Sequence, residues 1–148
     1  MAKKKFLHET PEHRILVEQL AVARKTRAQL VEKDYWLMHV LWGLQEQGFK
    51  FELKGGTSLS KGFGIIDRFS EDIDIRIEPP KEREVKSDVN HDKPGHIASR
   101  FKFYDWLAKA LSIPGVKAER DTSFDDKKGR SGGIRLNFKS EYPTLEGV

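Results

Sequence analysis

From Ala28 to Gln47 the apolar residues recur at the spacing of one helix face, and no proline interrupts them. Val31, Tyr35, Met38, Trp42 and Gln45 mark one stripe, and Leu30, Leu37, Leu41 and Leu44 widen it. The pattern predicts a helix of roughly five turns. Such a helix must bury its stripe against other elements, so the chain has to supply them. Gly48 is the predicted stop.

The neighbours read as follows. Thr10-Pro11-Glu12 predicts a helix start, with Thr10 as cap, Pro11 in the first turn and Glu12 on the positive end of the dipole. Leu16, Leu20 and Ala23 continue that helix. Phe49 to Leu53 is a strand candidate, broken by Gly55-Gly56, after which Thr57 or Ser58 caps a short helix to about Phe63. Asp72 to Ile77 alternates polar with apolar, the mark of a half-buried strand. Pro79 to Gly95 is charged, holds three prolines and has almost nothing to bury, which predicts a mobile loop at about 79–95. Ile97 to Leu111 is a third amphipathic helix, with Ile97, Phe101, Tyr104, Ala108 and Leu111 on its stripe. Gly115 to Thr122 and Gly133 to Tyr142 predict an antiparallel hairpin. The order is that of an α+β domain with helices packed on a small mixed sheet.

Composition sets the outer bounds. A chain of 148 residues supports one domain with one core. It has no cysteine, which excludes disulfides and thiolate metal sites and makes the cytoplasm the default compartment. The basic start Met1-Ala2-Lys3-Lys4-Lys5 has no apolar region behind it, so it is not a signal peptide. No apolar run approaches the roughly 20 residues of a membrane helix, so no membrane partner is expected. The net charge of +4 favours anionic partners without proving one. The stretch from Lys117 to Lys139 carries a local excess of three positive charges. It reads equally as a surface for an RNA backbone or as a solvated hairpin. The histidines, His8, His13, His39, His91 and His96, show no metal-ligand spacing.

Two short segments carry chemistry. Asp72 and Asp74 are two apart in a strand, so both side chains leave one face. Adjacent carboxylates repel, and a divalent cation removes the repulsion. Mg2+ (or Mn2+) suits oxygen ligands and takes further ones from phosphates. An acidic outer strand face is the bland alternative, and aspartate is depleted in strands. Upstream, Gly55-Gly56 lets backbone N–H groups approach a ligand, and the helix start behind it favours an anion. Thr57 and Ser58 add hydroxyl donors. Lys61 opposes the helix dipole but suits a phosphate. A plain capped turn is the alternative for the glycines alone. Together, a phosphate cradle and a carboxylate pair on successive strands can hold a nucleoside triphosphate with its metal.

The spacing from Lys54-Gly55-Gly56-Thr57-Ser58 to Asp72-Ile73-Asp74 resembles that of the DNA polymerase beta-type nucleotidyltransferase superfamily. More narrowly, Gly55 to Lys61, Arg68 to Asp74 and Glu32-Lys33-Asp34-Tyr35-Trp36 are similar to the AbiEii/AbiGii toxin family. The resemblance implies a nucleotidyltransferase that acts as the toxin of a toxin–antitoxin or phage-defence pair. Its implied partners are a nucleoside triphosphate, tRNA or another RNA acceptor, and a cognate antitoxin. It assigns Gly55, Gly56 and Ser58 to the triphosphate and Asp72 and Asp74 to the metal and catalysis, with Thr57, Lys61, Arg68 and Ser70 in support. It also implies a third carboxylate on a later strand, where this chain has Asn137, with Glu119 or Glu141 as substitutes. Family members carry a helical C-terminal half with further motifs. Residues 1–148 therefore read as a catalytic domain without that half. The competing reading is a module that keeps the fold, has lost catalysis and acts by binding a partner.

Overall fold

The computed structural model describes residues 5–54, 74–88 and 90–142. Among these lie α1 (Glu12–Ala23), α2 (Ala28–Glu46), β1 (Phe51–Leu53), β2 (Ile75–Ile77), α3 (Pro94–Ala110), β3 (Val116–Asp121) and β4 (Gly133–Phe138). The α+β class holds. The described strands form two sheets of two strands each, β1–β2 and β3–β4. The predicted short helix from Thr57 to Phe63 lies outside the described residues.

The helix ends follow local chemistry. Gly48 takes a left-handed φ of 82°. Its N–H bonds Gln45 O at 3.0 Å, and Phe49 N–H bonds Leu44 O at 3.1 Å. These two bonds close the last carbonyls of α2, a termination that glycine permits without Cβ strain. Thr10 behaves otherwise than predicted. Its hydroxyl donates to Leu7 O at 2.7 Å, closing the turn Leu7–Glu9, and Pro11 occupies the cap position of α1 instead.

The chain divides into two compact units. In the first, Val17 and Ala21 of α1 pack with Val31 of α2, and Ala28 and Tyr142 close around them. Trp36 is buried in the same unit, while Met38 is 45% exposed. The inward face of α2 is therefore turned from the predicted stripe and runs through Val31, Glu32 and Trp36. In the second unit Val40, Leu41, Leu44, Phe103, Leu107 and Ile113 are buried. A Cβ on Gly43 would stand 2.7 Å from Ile113 Cγ1, so that contact needs glycine. The side chain of Gln47 donates to Ala110 O at 2.9 Å and accepts from Ser112 N–H at 2.9 Å, closing the end of α3.

The β3–β4 hairpin is antiparallel, running from Val116 opposite Phe138 to Asp121 opposite Gly133. Ile134, Leu136 and Phe138 turn inward while Arg135, Asn137 and Lys139 are exposed, as the alternation predicts.

The segment after β2 has polar anchors that its poverty in apolar residues does not announce. Arg83 lies 4.2 Å from the Trp106 ring centroid. Arg100, 3% exposed, donates from Nη1 to Lys86 O and His91 O and from Nε to Lys128 O. Arg130 donates to Ser87 O and Asp88 O. Proline at 94 already belongs to α3, where its fixed φ suits the first turn.

Candidate active site

β1 and β2 are short, and their pairing decides what stands beside what. Lys54 N–H donates to Asp74 O at 2.8 Å, and Glu78 N–H donates to Lys50 O at 2.9 Å. The two bonds run in the antiparallel sense. Phe51, Leu53, Ile75 and Ile77 are half-buried, whereas Glu52, Lys54, Asp74 and Arg76 are exposed. The apolar residues anchor the ladder and leave the Asp74 carboxylate on its wet face.

This rung has a consequence for the two segments that carry chemistry. Lys54 is the residue immediately before Gly55-Gly56 in sequence. Asp74 is the second carboxylate of the Asp-x-Asp pair. The main chain thus joins, by one hydrogen bond, the residue from which the glycine pair departs and the residue at which the acidic pair ends. Gly55, Gly56, Thr57, Ser58, Lys61, Arg68, Ser70 and Asp72 lie outside the described residues.

Asp74 presents an exposed carboxylate, the kind of hard oxygen donor that Mg2+ prefers. Among the described residues no three His, Asp or Glu side chains gather as a metal site. Of the expected pair, Asp74 is the member among the described residues, and its exposed oxygen suits such an ion.

Of the substitutes for a third acid, Glu119 has another partner. Glu119 stands opposite Arg135 in the hairpin and ion-pairs with Lys117 at 3.3 Å. Asn137 stands opposite Lys117. Glu141 donates its backbone N–H to Glu32 at 2.9 Å.

Glu32 itself is an acid that sequence reasoning passed over. Its side chain is fully buried and accepts from the Ser140 hydroxyl and the Glu141 N–H. A buried carboxylate needs such donors. The available signal is its spacing of four from Trp36, which puts it on the buried face of α2.

Five cations of the basic stretch pair with acids, and Asp92 and Asp105 among these acids come from outside it. Arg120 bonds Asp125 at 2.7 Å and Asp105 at 3.1 Å, with its guanidinium 5.2 Å from the Tyr104 ring centroid. Arg135 pairs with Asp121, and Lys128 and Arg130 pair with Asp92. Hydrogen bonds from Ser123 hold the Asp121 carboxyl below the usual carboxylate value, with Arg135 adding to the effect. The solvated-hairpin reading gains from these pairings. Among the described residues no helix is long and apolar enough to cross a membrane.

An α+β domain, with an exposed aspartate immediately before β2 whose carbonyl bonds the residue that leads into a glycine pair, fits the catalytic domain of a nucleotidyltransferase. Residues 39–148 match the model of the nucleotidyl transferase AbiEii toxin family of type IV toxin–antitoxin systems, and the chain belongs to that family. No curated protein and no solved structure matches the chain. The matched region includes Gly55 to Asp74. It begins after the Glu32–Trp36 segment, which therefore stands outside it.

Proposed function

We propose that the chain transfers a nucleotide from a nucleoside triphosphate to the hydroxyl of an RNA acceptor, with tRNA the favoured class, as the toxin of a cytoplasmic toxin–antitoxin pair. The family membership supports the chemistry. The Lys54–Asp74 hydrogen bond supports the site, because Lys54 precedes the glycine pair and Asp74 ends the acidic pair in sequence.

In this reading the backbone N–H groups at Gly55 and Gly56, with the hydroxyls of Thr57 and Ser58, hold the phosphates. Lys61 offsets phosphate charge, and Arg68 and Ser70 support the turn. Asp72 and Asp74 hold Mg2+, which neutralises the triphosphate when bound. The acceptor oxygen would bond the α-phosphorus as the bond to the pyrophosphate breaks and its proton passes to solvent, and the chain contributes chiefly alignment. The cations engaged in ion pairs, Lys117, Arg120, Lys128, Arg130 and Arg135, are poor candidates for gripping the RNA.

One observation favours the second reading, a partner-binding module without catalysis. Glu119 is engaged by Lys117, and the outward residues of β4, Arg135 and Asn137, include no acid. Isothermal titration with each nucleoside triphosphate, with and without Mg2+, separates the two. The enzyme reading expects metal-dependent binding that Asp72→Asn with Asp74→Asn abolishes in a folded protein. Binding that is absent, or unchanged in the double variant, favours the module.

A further inference from the structure

Upstream of α1, the segment from Lys5 to Thr10 lies on the N-terminal half of α2, and its contact is built from aromatic and imidazole rings. Phe6 stands 5.0 Å from His39 edge-on, and His8 stands 4.4 Å from Trp36 and 4.9 Å from His39. Ring centroids of His13 and Tyr35 are 4.6 Å apart. The polar centre of this contact is the Tyr35 hydroxyl. It accepts the backbone N–H of His8 at 3.2 Å and lies 2.8 Å from His8 Nδ1.

A neutral His8 ring suits this arrangement. The phenol oxygen already receives one N–H, and its own proton satisfies Nδ1 only if that nitrogen is an acceptor. In the neutral tautomer with its proton on Nε2, His8 accepts the phenol proton at Nδ1. A second proton on Nδ1 would leave the phenol O–H without this partner and put a charge into a half-buried ring cluster. The titratable groups facing His8 are Glu9 from its own segment, His13 from α1, and Tyr35 and His39 from α2. Glu9 is the one acid among them, and its carboxylate is engaged by Phe6 N–H at 2.8 Å.

We infer that residues 5–10 form a pH-sensitive strap, docked on α2 while His8 is neutral and lifted from it when His8 takes up a proton. Burial, then the nearby His39, hold His8 below the usual imidazole value of 6.5, with Glu9 opposing. The sign follows. A lowered value in the docked state means that the lifted state binds more protons. Docking is fully favoured above the ordinary value and weakens as pH falls below it, down to the docked value. Each pH unit in that window raises the lifted fraction by up to about tenfold for one proton. Lifting would uncover Tyr35, Trp36 and His39, residues of or beside the Glu32–Trp36 segment. The inference stands apart from the nucleotidyltransfer reading.

Hydrogen exchange of the Glu9 and Thr10 amides tests it, because these bond Phe6 O and Leu7 O in the docked turn. Exchange, corrected for its intrinsic pH dependence, is measured on the intact chain from pH 8 to 5. The expected result is a loss of protection below about pH 6.5, up to about tenfold per unit, with a midpoint matching the titration of the His8 ring proton by NMR. His8→Gln should remove the pH dependence. If that variant is open at every pH, the match between the His8 titration and the opening in the wild type decides. Protection that stays flat or rises on acidification would mean that the Trp36 face holds the imidazolium, and the strap is overturned. It is equally overturned if the pH dependence survives unchanged in His8→Gln.

Discussion

Replacing Arg100 by alanine should be among the most damaging single changes in the second unit. Its guanidinium is buried and makes three bonds to carbonyl oxygens, at Lys86, His91 and Lys128. Bonds with a charged partner contribute about 1.5–3 kcal/mol each. Those carbonyls lie in exposed segments and regain water once the side chain is gone, so the sum is not additive. We take about 3–5 kcal/mol, the range for breaking a buried charged contact, against a total stability of roughly 5–15 kcal/mol. With a urea m-value near 2 kcal/mol/M, the midpoint should fall by about 2 M. Arg100→Lys should recover little of this, since an ammonium lacks the planar fork that reaches three oxygens. Arg135→Ala is the control. Its ion pair with Asp121 is 65% exposed on the arginine side, and its loss should cost under about 1 kcal/mol. A midpoint shift below about 0.5 M for Arg100→Ala would refute the view that this arginine organises the segment after β2.

Three further outcomes follow from the same contacts. Glu32→Ala removes the acceptor of the Glu141 N–H and one of two acceptors of the Ser140 hydroxyl, and should cost about 1–3 kcal/mol in thermal or urea unfolding, with Glu32→Gln milder. Gly133→Ala puts a Cβ 2.8 Å from Asp121 O, a backbone atom that cannot swing aside, and should destabilise the hairpin by about 1–3 kcal/mol in the same assay. Asp121 has a lowered value, so its contribution is present above the ordinary 3.8 and is lost as pH falls through the folded value. Asp121→Asn should therefore flatten the acid limb of the unfolding curve below about pH 4.

Local signals in the sequence survived better than facial ones. Gly48 ends α2 because only a left-handed residue closes both carbonyls there, and glycine advertises that. The hairpin alternation is equally local. The buried face of α2 was harder to read, because its apolar residues cover more than one side. Spacing alone could not tell that Glu32 and Trp36 go in while Met38 and Trp42 stay out. On α3, Arg100 shares the buried face with Phe103 and Leu107, and no hydropathy pattern assigns an arginine there. The same residue explains why a segment with nothing apolar to bury can still be anchored: its partners are carbonyls, which every residue carries. At the candidate site the alternation put Asp74 on the wet face correctly. The rung to Lys54 is a pairing that only the fold supplies.

The central claim is nucleotidyl transfer that depends on the acidic pair, and the direct measurement is transfer of labelled nucleotide to RNA. Purified chain is incubated with each labelled nucleoside triphosphate, Mg2+ and total tRNA, and label on the RNA is counted. The account predicts Mg2+-dependent labelling with at least one nucleotide, reduced about 100-fold or more in Asp74→Asn, since a lost metal ligand removes several kcal/mol of charge stabilisation. Labelling by Asp74→Asn at the wild-type rate, or none by a wild type that is folded and binds the triphosphate, would contradict it.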